Sequence, residues 1–256
     1  MLYDAAKQRF PIDNYLLSAL PAEEFNLLRA HMEPVSLPAG EVYAEFGSRL
    51  THCYFPNNGM VSLLSVVEAG DTCEVGYVGF EGIVGLPAVF GKNEMPYQAL
   101  VQVKSEGFRV PVGVVGDVFH RSRDFHDQSL QFMYLLLRQF AQTSACNRFH
   151  SIEERMCRWF SVMCERSGDK HLALTQEFLA YMLGVQRTSI GATAKSLQEQ
   201  GIIRYARGKV QIADFHRLKA HACECFSAIN QELREFSGKK KSPSMSTTRQ
   251  TRALSK

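Results

Sequence analysis

Leu174-Thr-Gln-Glu-Phe-Leu-Ala-Tyr-Met-Leu-Gly-Val-Gln-Arg-Thr-Ser-Ile-Gly-Ala-Thr-Ala-Lys-Ser-Leu-Gln-Glu-Gln-Gly-Ile-Ile203 is the stretch that decides the fold. It reads as two short helices joined by a tight turn. Thr175 is a natural N-cap, and Phe178, Leu179, Met182 and Leu183 recur at helical spacing. Gly184 suits the end of the first helix, because glycine enters the left-handed C′ geometry without a Cβ penalty. Thr188 or a neighbour opens the second helix, with Ile190 and Leu197 pointing inward. Ala180 is small where two crossing helices approach. This layout predicts a helix-turn-helix whose second helix enters a DNA major groove.

Working outward, Arg204-Tyr-Ala-Arg-Gly-Lys-Val-Gln-Ile212 follows. Arg207-Gly208 suits a hairpin turn, and Val210 and Ile212 alternate as in a short strand, which predicts a wing beside the second helix. Arg204, Arg207 and Lys209 are then placed near a phosphate backbone rather than being ordinary surface cations. Upstream, Ser151-Ile-Glu-Glu carries a capping-box pattern opening a helix over 152–165, and Ser167-Gly-Asp-Lys170 reads as a turn.

Charge agrees with this division. Residues 1–128 hold 9 Lys/Arg against 16 Asp/Glu, a net of −7, whereas residues 129–256 hold 20 against 10, a net of +10. The basic half is suited to displacing counterions from phosphates; the acidic half is not. At 256 residues the chain suits one large or two modest domains. No run of about 18 apolar residues predicts a membrane span. The first residues lack a signal-peptide core. Seven cysteines without framework spacing fit a reducing cytoplasm.

Residues 12–34 read as helical, with Pro21-Ala-Glu-Glu opening a helix. From Val35 to about Pro111, short apolar stretches alternate with Gly, Pro and Asn turns, which predicts a small β-barrel or jelly roll, with Asn58-Gly59 as a hairpin turn. A long helix is predicted over Gln128–Asn147. Leu130, Tyr134, Leu137, Ala141 and Ser144 step by 4, 3, 4, 3 along it, a heptad seam for pairing with a second copy. Phe132, Leu135, Leu136 and Phe140 give it another apolar side for the barrel. The tail from Gly238 carries Lys239, Lys240, Lys241, Arg249, Arg252 and Lys256 without an acid, which predicts disorder. The fold class is α+β: a jelly-roll sensory barrel with N-terminal helices over 1–127, a dimerisation helix over 128–150, a winged helix-turn-helix over 151–237 and a basic tail over 238–256.

Barrel, long helix and winged helix-turn-helix, in that order, resemble the Crp/Fnr family of bacterial transcription regulators across roughly residues 12–226. The resemblance rests on Pro38-Ala-Gly-Glu-Val, on Gly82-Ile-Val-Gly-Leu86 and above all on Leu183-Gly-Val-Gln-Arg-Thr-Ser-Ile-Gly191. It implies a homodimer on a palindromic promoter site in double-stranded DNA, with an effector felt in the barrel and RNA polymerase as a candidate partner. Cyclic-nucleotide binders of the family use a Gly-Glu-Leu/Ile-Ala/Gly segment, then Arg-Ser/Thr-Ala. Here the first reads Gly82-Ile83-Val84-Gly85 and the second Tyr97-Gln98-Ala99, and Glu81 is displaced by one residue. The ribose carboxylate and the phosphate guanidinium are both missing. The expected effector is therefore not cyclic AMP, or there is none; Glu81, Gly82, Ile83, Gly85, Tyr97, Gln98 and Ala99 are the candidate pocket.

Within the resemblance Arg187 matches the arginine that opens the recognition helix. An arginine fork reads guanine O6 and N7 bidentately. Gln186, Thr188, Ser189 and Ala192 share that helix with it, while Thr175 and Lys195 are placed on phosphates. Thr193 is more polar than that position usually is. Residues 1–34 contain no cysteine, so an iron–sulfur sensor lacks ligands, and His31, His52, His120 and His126 form no haem-binding set. Cys223-Glu-Cys225 cannot complete a zinc site alone, and Cys146, Cys157 and Cys164 read as small core residues. No cofactor or metal is expected. A metal-dependent barrel enzyme would need a His-x-His group that His52-Cys53-Tyr54 does not supply, and no nucleophile–base pair suggests another enzyme. The remaining alternative is a signalling module with an inactive DNA head.

Overall fold

The computed structural model describes residues 11–238. Asn14 sits at a corner: its side-chain amide nitrogen donates to Pro56 O and Gly82 O, both at 2.8 Å, and its side-chain oxygen caps helix α1 (Tyr15–Ser18). Helix α2 (Ala22–Arg29) follows Pro21, with Glu23 and Glu24 at its positive end. The helical reading of 12–34 runs too far. Strand β1 (Glu33–Leu37) already begins before Pro34, which holds its predecessor out of helical geometry.

The strands β2 (Val42–Ala44), β3 (His52–Pro56), β4 (Met60–Val66), β5 (Thr72–Val78), β6 (Gln98–Val103) and β7 (Ser105–Pro111) complete the barrel. They form two antiparallel sheets, ordered β1-β7-β3 and β2-β6-β4-β5. Phe55, Val61, Leu63, Val101, Phe108 and Val110 are buried between them. Asn58-Gly59 is not a hairpin turn, because β3 and β4 lie in different sheets. It is a corner. Gly59 has φ +72, and a Cβ there would sit 2.7 Å from Val103 O and nearer still to Lys104 O, where β6 passes into β7. Asn58 ties the two corners together through Glu106 N at 2.9 Å and the Ser105 hydroxyl at 2.7 Å.

Helix α3 (Val112–Arg121) carries no helical signature by propensity; its valines and glycines read as strand or loop. Val115, Val118 and Phe119 are buried on one side of it, so packing against the barrel overrides propensity. Helix α4 (Arg123–Phe149) is 27 residues long and starts five residues before the predicted position, capped by the Ser122 hydroxyl accepting from Phe125 N at 3.0 Å. Phe132, Leu135 and Leu136 are buried on the barrel, as the sequence predicts.

Helix α5 (Ile152–Ser167) opens with the predicted Ser151–Glu154 capping box. It is buried over Arg155–Cys164. One side meets Met60, Leu64, Tyr77 and Leu100 of the barrel, and the other meets Leu179, Met182, Ile190 and Leu197 of the C-terminal head. Barrel and head are therefore joined by a second hydrophobic cluster around α5, apart from the core inside the barrel. The head continues with β8 (His171–Ala173), α6 (Gln176–Leu183), α7 (Arg187–Glu199), β9 (Ile203–Ala206), β10 (Lys209–Ile212), α8 (Phe215–His221) and α9 (Cys225–Phe236). The unforeseen β8 pairs with β10, giving a sheet ordered β8-β10-β9. Helix α9 returns along α4, with an Arg138–Glu232 ion pair at 2.7 Å, and reaches the barrel, where Phe236 meets Phe132 and Tyr15. The basic stretch beyond Gly238 lies outside the described residues.

Candidate DNA-binding interface

The two helices of the motif form as their sequence dictates. Thr175 caps α6 by accepting from Phe178 N at 3.0 Å. Gly184 ends it at φ 60, ψ 45, where its N–H and that of Val185 both bond back to Ala180 O. Three residues later α7 begins at Arg187, with Gln186 as N-cap, one residue earlier than Thr188. No side chain caps this N-terminus, so its leading N–H groups remain available to an anion. Ile190, Ala194 and Leu197 are buried and Thr193 is half-buried, so the polar residue is tolerated at the edge of the contact.

The opposite face of α7 is open. Gln186, Arg187, Thr188, Ala192 and Lys195 are exposed, and Ser189 is half-buried at their edge. Thr188, Ala192 and Lys195 step by four and three along one stripe, with Arg187 at its head. Lys195 is 3.8 Å from Glu199, an exposed pair that offsets part of its charge.

The wing is pinned to this face from inside. Tyr205 donates its hydroxyl to Leu174 O at 2.9 Å, and its N–H donates to Gln198 Oε1 at 2.8 Å. Arg207 has φ +50 and Gly208 φ +73, the double left-handed geometry that a two-residue turn between right-twisted strands requires. Arg204, Arg207 and Lys209 are exposed on it, as is Thr175 beside α7. Those ten sequence-predicted residues belong to one continuous unit of α6, α7 and the hairpin. Arg217 reinforces it by donating to Gln200 O at the end of α7.

The candidate effector residues belong to the barrel, and several have partners within the chain. Glu81 is buried and accepts from Gly79 N at 2.8 Å and from Arg166 at 2.9 Å. The Arg166 guanidinium also stacks over Tyr77 and Phe80. Burial opposes its charge, but Glu81 and Tyr77 together outweigh burial and raise its pKa. Gly82 sits under the Phe132 ring, and Ile83 and Ala99 are buried apolar residues. Gly85 adopts φ +98. Tyr97 packs edge-on to Phe140. Gln98 faces the head: it accepts from the Tyr181 hydroxyl at 2.9 Å and donates to Glu45.

Several contacts that no motif announces lock barrel to head. Thr72 donates to Tyr181 O and Gly184 lies against Cys73, while within the head the Arg155 guanidinium donates to Leu183 O. Glu74 is buried and accepts from the Ser62 hydroxyl at 2.6 Å and from the Trp159 indole at 3.3 Å. Burial pushes its carboxyl pKa up, against those two hydrogen bonds and Arg158. Arg158, the one charge within residues 156–164, was the available signal.

Cys146, Cys157 and Cys164 are all buried, as predicted, but Cys146 lies apart from the other two, in a separate cluster with Cys223 and Cys225 that His150 joins. Cys223-Glu-Cys225 is not alone: the ends of two distant segments meet there. His31, His52, His120 and His126 do not join any such group among the described residues.

Barrel, long helix and winged helix-turn-helix define a Crp/Fnr-type architecture. Residues 154–221 match the model of the Crp-like helix-turn-helix domain. A protein assigned to the Crp/Fnr transcriptional regulators from Eubacterium rectale is similar over 81% of this chain and 98% of its own, with TM-score 0.68 and 16% identity. The c-di-GMP-responsive global regulator CLP of Xanthomonas campestris is similar over 76% and 100%, with TM-score 0.60 and 16% identity. A Crp-family regulator of Thermus thermophilus is similar over 73% and 96%, with TM-score 0.59 and 15% identity. Comparison with curated proteins finds no match. The chain thus carries a Crp-like helix-turn-helix DNA-binding domain on a Crp/Fnr-type fold.

Proposed function

We propose that this protein is a cytoplasmic, homodimeric transcription regulator that reads a palindromic DNA site. The carrying observation is the open face of α7, where Arg187, Thr188, Ala192 and Lys195 stand beside the Arg204–Lys209 wing. Arg187 reads a guanine; Thr188, Ser189 and Ala192 contact neighbouring base edges, and Gln186 stands at the entry of the helix into the groove. Thr175, Lys195, Arg204, Arg207 and Lys209 hold phosphates.

Dimer formation is supported by the other face of α4. Leu130, Tyr134, Leu137, Ala141 and Ser144 are all exposed, Tyr134 by 60% and Leu137 by 58%, in a 4-3-4-3 seam opposite the side packed on the barrel. Two such helices would bring two recognition helices to half-sites one turn apart. Ile83 in place of an acid, and Tyr97-Gln98 in place of an arginine, favour an effector other than cyclic AMP, or none. RNA polymerase is the partner this class of regulator would engage at a promoter.

Selection of bound fragments from a random DNA pool at about physiological salt tests the proposal. Enrichment of an inverted repeat, with half-sites about ten base pairs apart, is expected. No enrichment, even with small molecules restored from cell extract, would instead favour a signalling module with a silent DNA head.

A further inference from the structure

We infer that Cys146, His150, Cys223 and Cys225 form a zinc site that fastens the end of the long helix to the C-terminal helices. Cys146 lies in the last turn of α4, and His150 is its C-cap, with its N–H bonded back to Cys146 O. Cys223 lies in the link between α8 and α9, and Cys225 opens α9. Cys146 Sγ is 3.5 Å from Cys223 Sγ, Cys225 Sγ is 3.5 Å from His150 Nδ1, and one ligand atom from each of the four residues lies within 4.8 Å of the others. Tetrahedral zinc, with bonds of about 2.3 Å to sulfur and about 2.0–2.1 Å to nitrogen, sets ligand atoms about 3.5–3.8 Å apart. The widest of these separations would close by about 1 Å on binding.

The surroundings suit a metal. The second ring nitrogen of His150 is 3.1 Å from Glu224 Oε1, the carboxylate between the two C-terminal cysteines. That bond holds the proton on Nε2 and turns the Nδ1 lone pair toward the sulfurs, the outer-shell arrangement of metal-bound histidines. Gln142 donates to Cys225 Sγ at 3.0 Å. Three thiolates, an imidazole and Zn2+ carry one net negative charge. Arg155 and Arg158 are buried close enough to Cys146 to interact with its charge, and the Nε of each has no hydrogen-bond partner among the described residues. Three sulfurs and one nitrogen select zinc over magnesium or calcium, and four protein ligands close the site to substrate. On binding, three thiol protons leave to solvent. Cys223 and Cys225 lie beyond residues 154–221, so the site is not part of the Crp-like domain match.

The test uses the full chain, purified under reducing conditions with zinc supplied and excess metal removed, and needs no DNA. About one zinc per chain is expected by elemental analysis, released when a mercurial caps the thiols. Cobalt in its place should give the visible bands of a tetrahedral thiolate complex. Cys225→Ser and His150→Ala should abolish retention. Glu224→Gln, at an exposed position where folding is not at stake, should weaken zinc affinity about 10- to 100-fold. Less than about a tenth of a zinc per chain, an octahedral cobalt spectrum, unchanged affinity in Glu224→Gln, or a Cys146–Cys223 disulfide in the reduced preparation would each overturn the inference.

Discussion

Gly82 is the position where sequence and structure suggest different reasons for one glycine, and Gly82→Ala separates them. The resemblance places Gly82 in a ligand-binding segment, where a bare backbone lets a ligand approach. The structure puts the Phe132 ring there instead. A Cβ on Gly82 would lie 2.7 Å from Phe132 Cε1 and closer to Cζ and Cε2. Carbon atoms rest about 3.5–4.0 Å apart, so the ring must withdraw by more than about 1 Å. It cannot do so freely, because Phe132 is fully buried between the barrel and Phe236 of α9. The backbone at Gly82 is not left-handed, so the strain of an alanine there comes from the ring and not from its own φ. Overpacking of this kind costs about 1–3 kcal/mol, and the near-complete overlap argues for the upper end. At roughly 2–4 °C per kcal/mol for a chain of this size, the midpoint should fall by about 6–12 °C. Phe132→Leu removes the ring tip, so Gly82→Ala should cost far less in that background, with a coupling of about 1–2 kcal/mol. Urea denaturation of the four proteins gives the cycle. A single-mutant cost below about 0.5 kcal/mol, or simple additivity, would refute the packing account.

Arg187→Ala should weaken binding to the selected site by about 1–3 kcal/mol while leaving random-sequence DNA nearly unaffected; equal losses in a titration against both would make Arg187 a phosphate contact only. Arg207→Gly relieves a left-handed non-glycine residue and should raise stability by up to about 1 kcal/mol, yet lower the slope of log affinity against log salt by about one; an unchanged slope would remove Arg207 from the interface. Leu137→Glu on the exposed seam should shift sedimentation from dimer to monomer without loss of helicity, and a persistent dimer would place the contact elsewhere. Glu74 has a raised pKa in the folded state, so its contribution is complete below the unfolded value of about 4.3 and is lost as pH rises toward the folded value. Glu74→Gln should flatten that decline in a pH series of denaturation curves, and identical slopes would show that the carboxyl does not titrate there.

The DNA head was legible because each of its features is local. Thr175, Gly184 and Arg207-Gly208 act within four residues of their own backbone, and Ile190 and Leu197 reveal a helix face by spacing alone. What escaped is non-local. Asn58-Gly59 has hairpin chemistry, but its partners are Ser105 and Glu106 across the barrel, so the same dipeptide makes a corner between sheets. Helix α3 has the composition of a strand and is held helical by the core it covers. Strand β8 is too short to show a period and exists through its pairing with Val210. Cys146-x-x-x-His150 and Cys223-x-Cys225 are each incomplete as ligand sets, and only folding across more than seventy residues joins them. The candidate effector residues show the reverse: the resemblance located them, yet Glu81 and Gln98 spend their polar atoms on Arg166, Glu45 and Tyr181.

Helix α5, embedded between barrel and head, limits how this protein could be rearranged by recombination. A regulator whose two halves are joined by a bare linker can exchange its reader for another and keep its sensor. Here a cut after α4 would strip Met60, Leu64, Tyr77 and Leu100 on the outside of the barrel of their cover, and a cut after α5 would leave the head without its floor. A viable chimaera would have to inherit α5 together with the strand surface it was shaped against. The unit that can be exchanged is therefore larger than the unit that touches DNA.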